Sequence, residues 1–525
     1  MNKFSTRLFL TLFLFALAAA AILLTRIGGT SVSAQSETKR YVVIYHQQSS
    51  VPKTADDRVA RVGGQVLTHL SEIGALVATS ANPNFAAELA NSDASVSDIT
   101  EDVPVQMIPS PETMDVVALG DGPVEPPGDD TQTGPDPLYF IQWDKKRMRA
   151  SNQGSYAVQP GRPDVVVAVL DTGAEMLPTP HQDISDPSTG TNFDVARSRS
   201  FFPVQPSPNG DPNVAAWDDK NGHGSWCLSA VGAPINARGI VGVAPRVRLV
   251  ALKVLGDNGT GSFVSLAQAL IYAGNQKFDV ASMSLGGYLR RANQGSNVFI
   301  KLVQRAVNYA RENGVTPIAA LSNEGFNISD GDFMRDFMVV PAEIDGVIGI
   351  SATGYFNLKA SYSNYGVGKT DVSAPGGDGS VQTTPSLPGN GSVVGAWAKE
   401  HPVCGPAVPG RCYVFTSGTS MATPNAAGVA ALIISQFGDF TLDNSNKLHM
   451  PPQRVESYMQ QTANNQPCPE PREVTYFLAS PPFPPNTPRP GVPANQRCQG
   501  DAGYNNFYGK GIVDALKAVT EAPGQ

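Results

Sequence analysis

Uninterrupted apolar runs alternate along the chain with stretches whose apolar residues recur at helical spacing. The runs are DVVVAVLDTG (164–173), RVRLVALKVL (246–255), DVASMSLGG (279–287), VTPIAALSN (315–323) and DGVIGISAT (345–353). A strand that is apolar at every position is covered on both faces, as in a parallel sheet between layers of helix. Helical patterns over Val264–Gln276 and Val298–Asn313 lie between the runs. The alternation predicts an α/β fold with a mostly parallel central sheet. In such sheets functional groups gather beyond the carboxyl ends of the strands. Asp171, Ser284 and Asn323 stand at such ends.

A different pattern precedes residue 135. RYVVIYH predicts a strand, DRVARVGG a helix ending near Gly63-Gly64, and the following residues a strand pair. NPNFAAELANS predicts a second helix opened by an Asn–Pro signal. Residues 38–108 therefore read as a small α+β unit. Residues 109–134 are rich in Pro, Gly and Asp without hydrophobic period, which predicts an exposed linker. Such linkers are where proteolytic cutting concentrates. The large α/β unit is expected over 135–520.

The first residues form a separate class. A short basic start, the apolar run LFLTLFLFALAAAAILL and the small residues of SVSAQ describe a secretory signal over 1–34, cut after Ala34. The rival is an uncleaved anchor, since the run is about the minimum for spanning. Net charge is −8, so the chain lacks the basic footprint of a nucleic-acid binder. Export makes disulfides plausible. Among five cysteines, the simplest pairing joins Cys404 to Cys412 and Cys468 to Cys498, leaving Cys227 free; other pairings stay open.

Three short stretches carry candidate chemistry. Asp171 ends a strand in VLDTGAE, His223 lies between glycines in DDKNGHGSWCLSAVGA, and Ser420 follows Gly418-Thr419 in FTSGTSMATPNAAGVAAL. Singly they read as a strand-end turn, a buried ring and a helix cap. Together they meet a specific requirement. A serine hydroxyl is a weak nucleophile, so it needs a base, and the base needs a carboxylate to hold its tautomer.

The ordered motifs DTG, GHG, SLGG, SNEG, SYSNYG, APGG and GTSMATPNAAGVAAL, closed by YGKGIVDALKAV, resemble those of subtilisin-like serine proteases (subtilases) from about Pro135 to Val519. The resemblance implies a three-layer α/β sandwich and a secreted serine endopeptidase acting through an acyl-enzyme. It implies Ser420 as nucleophile, His223 as base, Asp171 as its orienting carboxylate and Asn323 as oxyanion donor. Ser284, Leu285 and Gly286 on one side, and Gly259 and Gly261 on the other, are implied as the edges that bind substrate. Tyr41–Met107 is similar to the inhibitor-type propeptide of secreted subtilases, which implies an autoprocessed zymogen. Asp183 in HQDI and Asn236 in PINARGIVGVAP fall on calcium-ligand positions of the family, although Arg238 is foreign to an ion site. Calcium there is expected to be structural, with no cofactor required for catalysis. The implied partners are polypeptide substrates and the chain's own propeptide. A monomer is expected, extracellular or periplasmic, with no stable membrane association once the signal is cut.

Several letters depart from the family pattern. Trp226 replaces a histidine. Cys227, one turn past His223, is either a small buried hydrophobe or a thiol whose modification by a mercurial blocks the site. Ser322 adds a side chain beside the specificity pocket, and Val339 at the expected pocket floor predicts small or medium apolar substrate residues. Asn425 replaces a histidine, and Pro424 is expected in the first helical turn, where a missing N–H is harmless. Ser380–Tyr413 and Gln466–Gly503 are longer than usual. Both read as surface excursions stapled by a disulfide; the first could instead shape the substrate entrance. The rival functional readings are a processing protease of narrow specificity and a catalytically silent binding protein on the same fold.

Overall fold

The computed structural model describes residues 37–109, 117–119, 133–185, 192–329, 336–383, 388–405, 410–440, 447–478, 487–488 and 495–521. The expected signal over 1–34 lies outside the described residues, as do 110–116 and 120–132 of the expected linker.

The N-terminal unit is an antiparallel four-stranded sheet in the order Gly64–Leu70, Ala75–Ser80, Lys39–Tyr45, Val96–Glu101. Its helices are Ala55–Arg61 and Phe85–Ser92. Strand residues point alternately to opposite faces. Val43, Tyr45, Leu76 and Ala78 therefore pack under the unit's own helices with Phe85 and Leu89. Val42, Ile44, Ala75 and Val77 join the core of the large unit instead.

In the large unit seven strands form a parallel sheet in the order Val372–Pro375, Ile348–Thr353, Thr316–Ala320, Val280–Met283, Val166–Asp171, Arg248–Lys253, Arg199–Ser200. The same alternation explains the uninterrupted runs. Val165, Val167 and Val169 pack with residues of the helices His223–Gly232 and Thr419–Phe437. Val166, Ala168 and Leu170 pack with residues of Phe263–Asn275 and Gln294–Glu312. The result is a three-layer sandwich. The helix that opens with Thr419 is buried along its length from Thr419 to Ser435, and over that span it carries no charged residue and mostly small or apolar ones.

Two expectations change here. The 109–134 stretch is not wholly a free linker, because Val117–Ala118 pairs antiparallel with Val414 and Phe415 and the Leu119 N–H donates to the Tyr413 carbonyl at 2.9 Å. Nor is the described part of Ser380–Tyr413 wholly a surface excursion. Val393–Trp397 and Cys412–Thr416 form a buried antiparallel pair, and the Cys404–Cys412 disulfide closes the loop between them. In the second long segment Cys468 is bonded to Cys498. There Tyr476 Oη and Gln496 Nε2 donate to the carbonyls of Lys359 and Ser361 at 3.1 and 2.7 Å.

Candidate active site

Asp171 is the last residue of its strand and His223 the first of its helix. Both are buried, and Asp171 Oδ1 accepts from His223 Nδ1 at 2.7 Å. That bond fixes which ring nitrogen carries the proton and leaves Nε2 bare. Nε2 is buried without a hydrogen-bond partner among the described residues.

The loop before His223 is organised by Asp219, a residue the sequence reading missed. Its Oδ1 accepts from Thr172 Oγ1 (2.9 Å), Asn221 N (3.0 Å) and Gly222 N (2.9 Å). Its Oδ2 accepts from Ser225 N (2.9 Å) and Oγ (2.7 Å). An aspartate opening a Lys-Asn-Gly turn was the available signal. Gly222 has φ 107°, and a Cβ there would lie 2.3 Å from the Trp397 indole. Trp226 packs against Gly395 of the same strand and donates Nε1–H to the Val414 carbonyl at 3.2 Å.

Ser420 is the second residue of the Thr419–Phe437 helix. Its hydroxyl donates to the Ser284 carbonyl at 3.2 Å, and the Ser284 hydroxyl donates back to the Ser420 carbonyl at 2.8 Å. Pro424 explains why that carbonyl is available. It sits in the second turn, not the first, and lacks the N–H that would have donated to Ser420 O. Ser284 Oγ and the Cys227 thiol, 3.7 Å away, take its place. The Cys227 sulfur also lies 3.9 Å from His223 Nδ1, so one atom touches both halves of the site. Burial, then the Asp171 charge, pushes this thiol well above its ordinary value and keeps it protonated.

Asn323 follows the Thr316–Ala320 strand. Its Oδ1 accepts from Thr419 N (2.8 Å) and Thr419 Oγ1 (2.9 Å), which holds the amide at the start of the Ser420 helix. The Ser420 N–H belongs to the first turn, where helical N–H groups have no intrahelical acceptor.

The cleft beside Ser420 has a volume of about 250 Å³. The chain's own Val105–Ile108 runs into it. Val105 and Gln106 pair antiparallel with Gly261 and Thr260. The Met107 N–H donates to Gly259 O at 3.1 Å, and its carbonyl accepts from Gly286 N at 3.0 Å. This segment thus lies between the two edges read from the sequence. At Gly259 (φ 80°) a Cβ would come within 2.6 Å of Ile108 Cγ1, so only glycine permits the approach. Leu285, Ser322, Asn323 and Glu324 line the cleft. Val339 does not; it is buried in the strand beneath, where a Cβ on Gly286 would meet its Cγ1 at 3.6 Å. Val339 is therefore not the pocket floor expected, and the cleft wall includes Leu285, Tyr288, Ser322 and Glu324 instead.

Asp183 and Asn236 also come together. Asn236 Nδ2 donates to Gln182 O (2.9 Å) and approaches Asp183 Oδ1 (3.4 Å), while Asp183 Oδ2 accepts from Ile240 N (3.0 Å) and the Tyr413 hydroxyl. Burial raises the Asp183 carboxyl to about 7, and Asp136 adds to the rise. Asp136 is itself raised to about 6 by burial, and its Oδ2 has no partner among the described residues. Two buried carboxyls form an oxygen-rich pair that suits a hard cation such as calcium, while the Asn236 amide turns its N–H to Asp183 and its oxygen to the Arg238 N–H at 2.9 Å.

Residues 162–511 match the Subtilase family. The chain belongs to the subtilase family. This subtilase is 35% identical over 269 residues to the M-protease of Shouchella clausii (strain KSM-K16), covering 51% of this chain and 53% of that protein. It is 34% identical over 269 residues to Subtilisin Savinase of Lederbergia lenta, covering 51% and 76%. The subtilase thus spans about half the length of the first relative. Among solved structures its fold is similar to the epidermin leader peptide processing serine protease of Staphylococcus aureus, with TM-score 0.65, 21% identity, and 93% and 100% of the two chains covered. Fervidolysin from Fervidobacterium pennivorans is similar at TM-score 0.60 and 18% identity, covering 95% and 63%.

Proposed function

We propose that this subtilase is an exported serine endopeptidase made with its own inhibitor. The observation that carries the reading is the buried Asp171–His223 pair with Nε2 left bare, joined through the Cys227 sulfur to Ser420 at a helix start. In the proposed reaction the Ser420 hydroxyl leaves Ser284 O, where it donates at 3.2 Å, for His223 Nε2. His223 accepts its proton as the oxygen attacks the scissile carbonyl. The negative charge on the carbonyl oxygen is met by the Ser420 N–H and the Asn323 amide, and losing such a donor typically costs ~10²–10³ in turnover. His223 then returns the proton to the leaving amine, and water repeats the cycle on the acyl-enzyme. Substrate adds as a strand between the edges at Gly259–Gly261 and Ser284–Gly286.

The occupied cleft supports the inhibitory role of the N-terminal unit. Val105–Ile108 uses the main-chain groups that a substrate would need. No helix among the described residues is long and apolar enough to cross a membrane. Asp183 and Asp136 would hold a calcium ion, joined by Asn236 if its amide turned its oxygen inward from Arg238 N, and the ion would supply compensating charge to the buried carboxyls and take no part in catalysis.

A fluorophosphonate probe tests the enzyme reading. Wild-type protein should be labelled and should lose its N-terminal segment. Ser420→Ala should do neither. Labelling that survives Ser420→Ala would remove Ser420 as the nucleophile.

A further inference from the structure

The strand Cys412–Thr416 runs through Ser417, Gly418 and Thr419 into Ser420, so a shift of the strand is passed on to the nucleophile. It is the centre of a three-stranded sheet, with Val393–Trp397 on one edge and Val117–Ala118 on the other. Val117 pairs with Phe415 and Ala118 with Val414, and the Leu119 N–H donates to the Tyr413 carbonyl at 2.9 Å. All five residues of the central strand are buried, so its main-chain groups depend on these partners rather than on water. Without Val117–Leu119 it would be an edge strand with unpaired N–H and C=O groups. The turn beyond it is tied by the Gly418 N–H to Gly376 O at 3.0 Å and by the Thr419 N–H to Asn323 Oδ1 at 2.8 Å, so the strand also bears on the oxyanion side of the site.

By its contacts Val117–Leu119 belongs to the large unit, although it lies in the stretch that joins the two units. Leu119 packs on the apolar cluster of Ile141, Ile240, Val394, Tyr413 and Phe415, all of the large unit. Val105–Ile108 is different. It holds main-chain groups that a substrate needs, so it has to leave before catalysis. Tyr413, Val414 and Phe415 are not among the residues lining the cleft, so a strand bound to them can stay.

We propose that Val117–Leu119 remains with the enzyme after the inhibitor unit is released and acts as a positioning strand, anchored by Leu119, that holds Cys412–Thr416 and through it Ser420 in place for attack. The inference rests on the serine endopeptidase reading. The cut that frees the inhibitor unit then lies upstream of Val117. A nucleophile displaced by about 1 Å costs up to about 10²-fold in rate, so loosening this strand lowers turnover without touching the substrate edges.

N-terminal sequencing and intact mass of the self-processed enzyme come first, and its chain should begin at or before Val117. Full-length Leu119→Asp, Leu119→Ala and Leu119→Met are then compared with wild type. Rates are expressed per active site titrated with a fluorophosphonate, so unfolded protein is not counted. Leu119→Asp should lower kcat and the rate of fluorophosphonate labelling about tenfold, while KM for a peptide substrate stays within about twofold. Leu119→Ala should fall between, and it carries the comparison alone if the charged variant does not fold. Leu119→Met should restore wild-type values. A fully labelled wild-type chain that begins beyond Leu119, an unchanged kcat in Leu119→Ala, or a loss confined to KM overturns the positioning role. Wild type that is never labelled at Ser420 overturns the endopeptidase reading and this inference together.

Discussion

Asn425 stands where the family usually has histidine, and its neighbours explain the change. Lys145 and Asp144 are both fully buried and paired at 2.7 Å. Asn425 Oδ1 accepts from Lys145 Nζ at 2.7 Å, while Nδ2 donates to Asp144 Oδ2 (3.2 Å) and Pro375 O (2.9 Å). A neutral imidazole has one donor and one acceptor, so it cannot serve all three. Removing a partner from a buried charge leaves a desolvation cost unanswered. Asn425→Ala should therefore lower the unfolding free energy by roughly 2–4 kcal/mol. Asn425→His should also destabilise, despite matching the family. Denaturant unfolding in the Ser420→Ala background, which removes self-digestion, reads both; unchanged midpoints would falsify the account. Trp226 is explained in the same way. Its indole fills the space against Gly395 and uses the Val414 carbonyl, both contributed by the long segment that precedes Ser420.

At the scale of elements, one strand pair serves two sites. Val393–Trp397 and Cys412–Thr416 cover the histidine helix through Trp397 and Trp226, and Tyr413 reaches Asp183. The loop that carries Asn236 closes over the same carboxyl, with Ile240 N at 3.0 Å. The proposed calcium ion, bound only by the folded loop, would add stability by mass action, ~2.7 kcal/mol at a hundredfold excess over Kd. Chelation with EDTA should then lower the melting temperature by a few degrees. Asp183→Asn should abolish that response to chelator. A melting curve that ignores both chelator and added calcium argues against an ion at Asp183. The glycine and tryptophan letters of these elements were visible in the sequence. Their pairing was not, because Gly222 and Trp397 are far apart in the chain and meet only through packing.

Over the whole molecule, buried titratable groups set the response to pH, the raised carboxyls acting against His181, which burial lowers to about 4 and whose contribution grows as pH rises to about 6.5. Glu175 is raised to about 7 by burial, against the help of the Lys399 N–H at 2.9 Å. Asp371 is also raised to about 7 by burial, although Gly349 N donates to it at 2.7 Å. Both sit above their ordinary values of ~4, so the folded state binds protons that the unfolded state has released. Their stability contribution is fully present below about pH 4 and is lost as pH rises through 7. The melting temperature should fall between about pH 6.5 and 8, where His181 no longer opposes the carboxyls, and Glu175→Gln should flatten part of that slope. A melting temperature that rises across this range would contradict the sign. The N-terminal unit belongs to the same scale. One face of its sheet is buried by its own helices and the other by the large unit, while its trailing strand fills the cleft.

The three-layer fold was legible before any coordinates. Strands apolar at every position require cover on both faces, and Val165–Leu170 divides its alternate residues between the two helical layers. Of the site residues that the ordered motifs implied, Leu285, Gly286, Asn323 and Ser420 line the cleft. Local sequence carries such information because period and turn chemistry act between near neighbours. Contacts between distant segments do not announce themselves in this way. Only the tertiary structure brought Asp219 under the His223 loop, set Val117–Ala118 against Val414–Phe415, and gave Ser420 O the Ser284 hydroxyl in place of the N–H that Pro424 lacks. It also decided which side chain faces the pocket. Val339 and Glu324 are equally readable as letters, but strand register buries one, and three hydrogen bonds hold the other at the cleft.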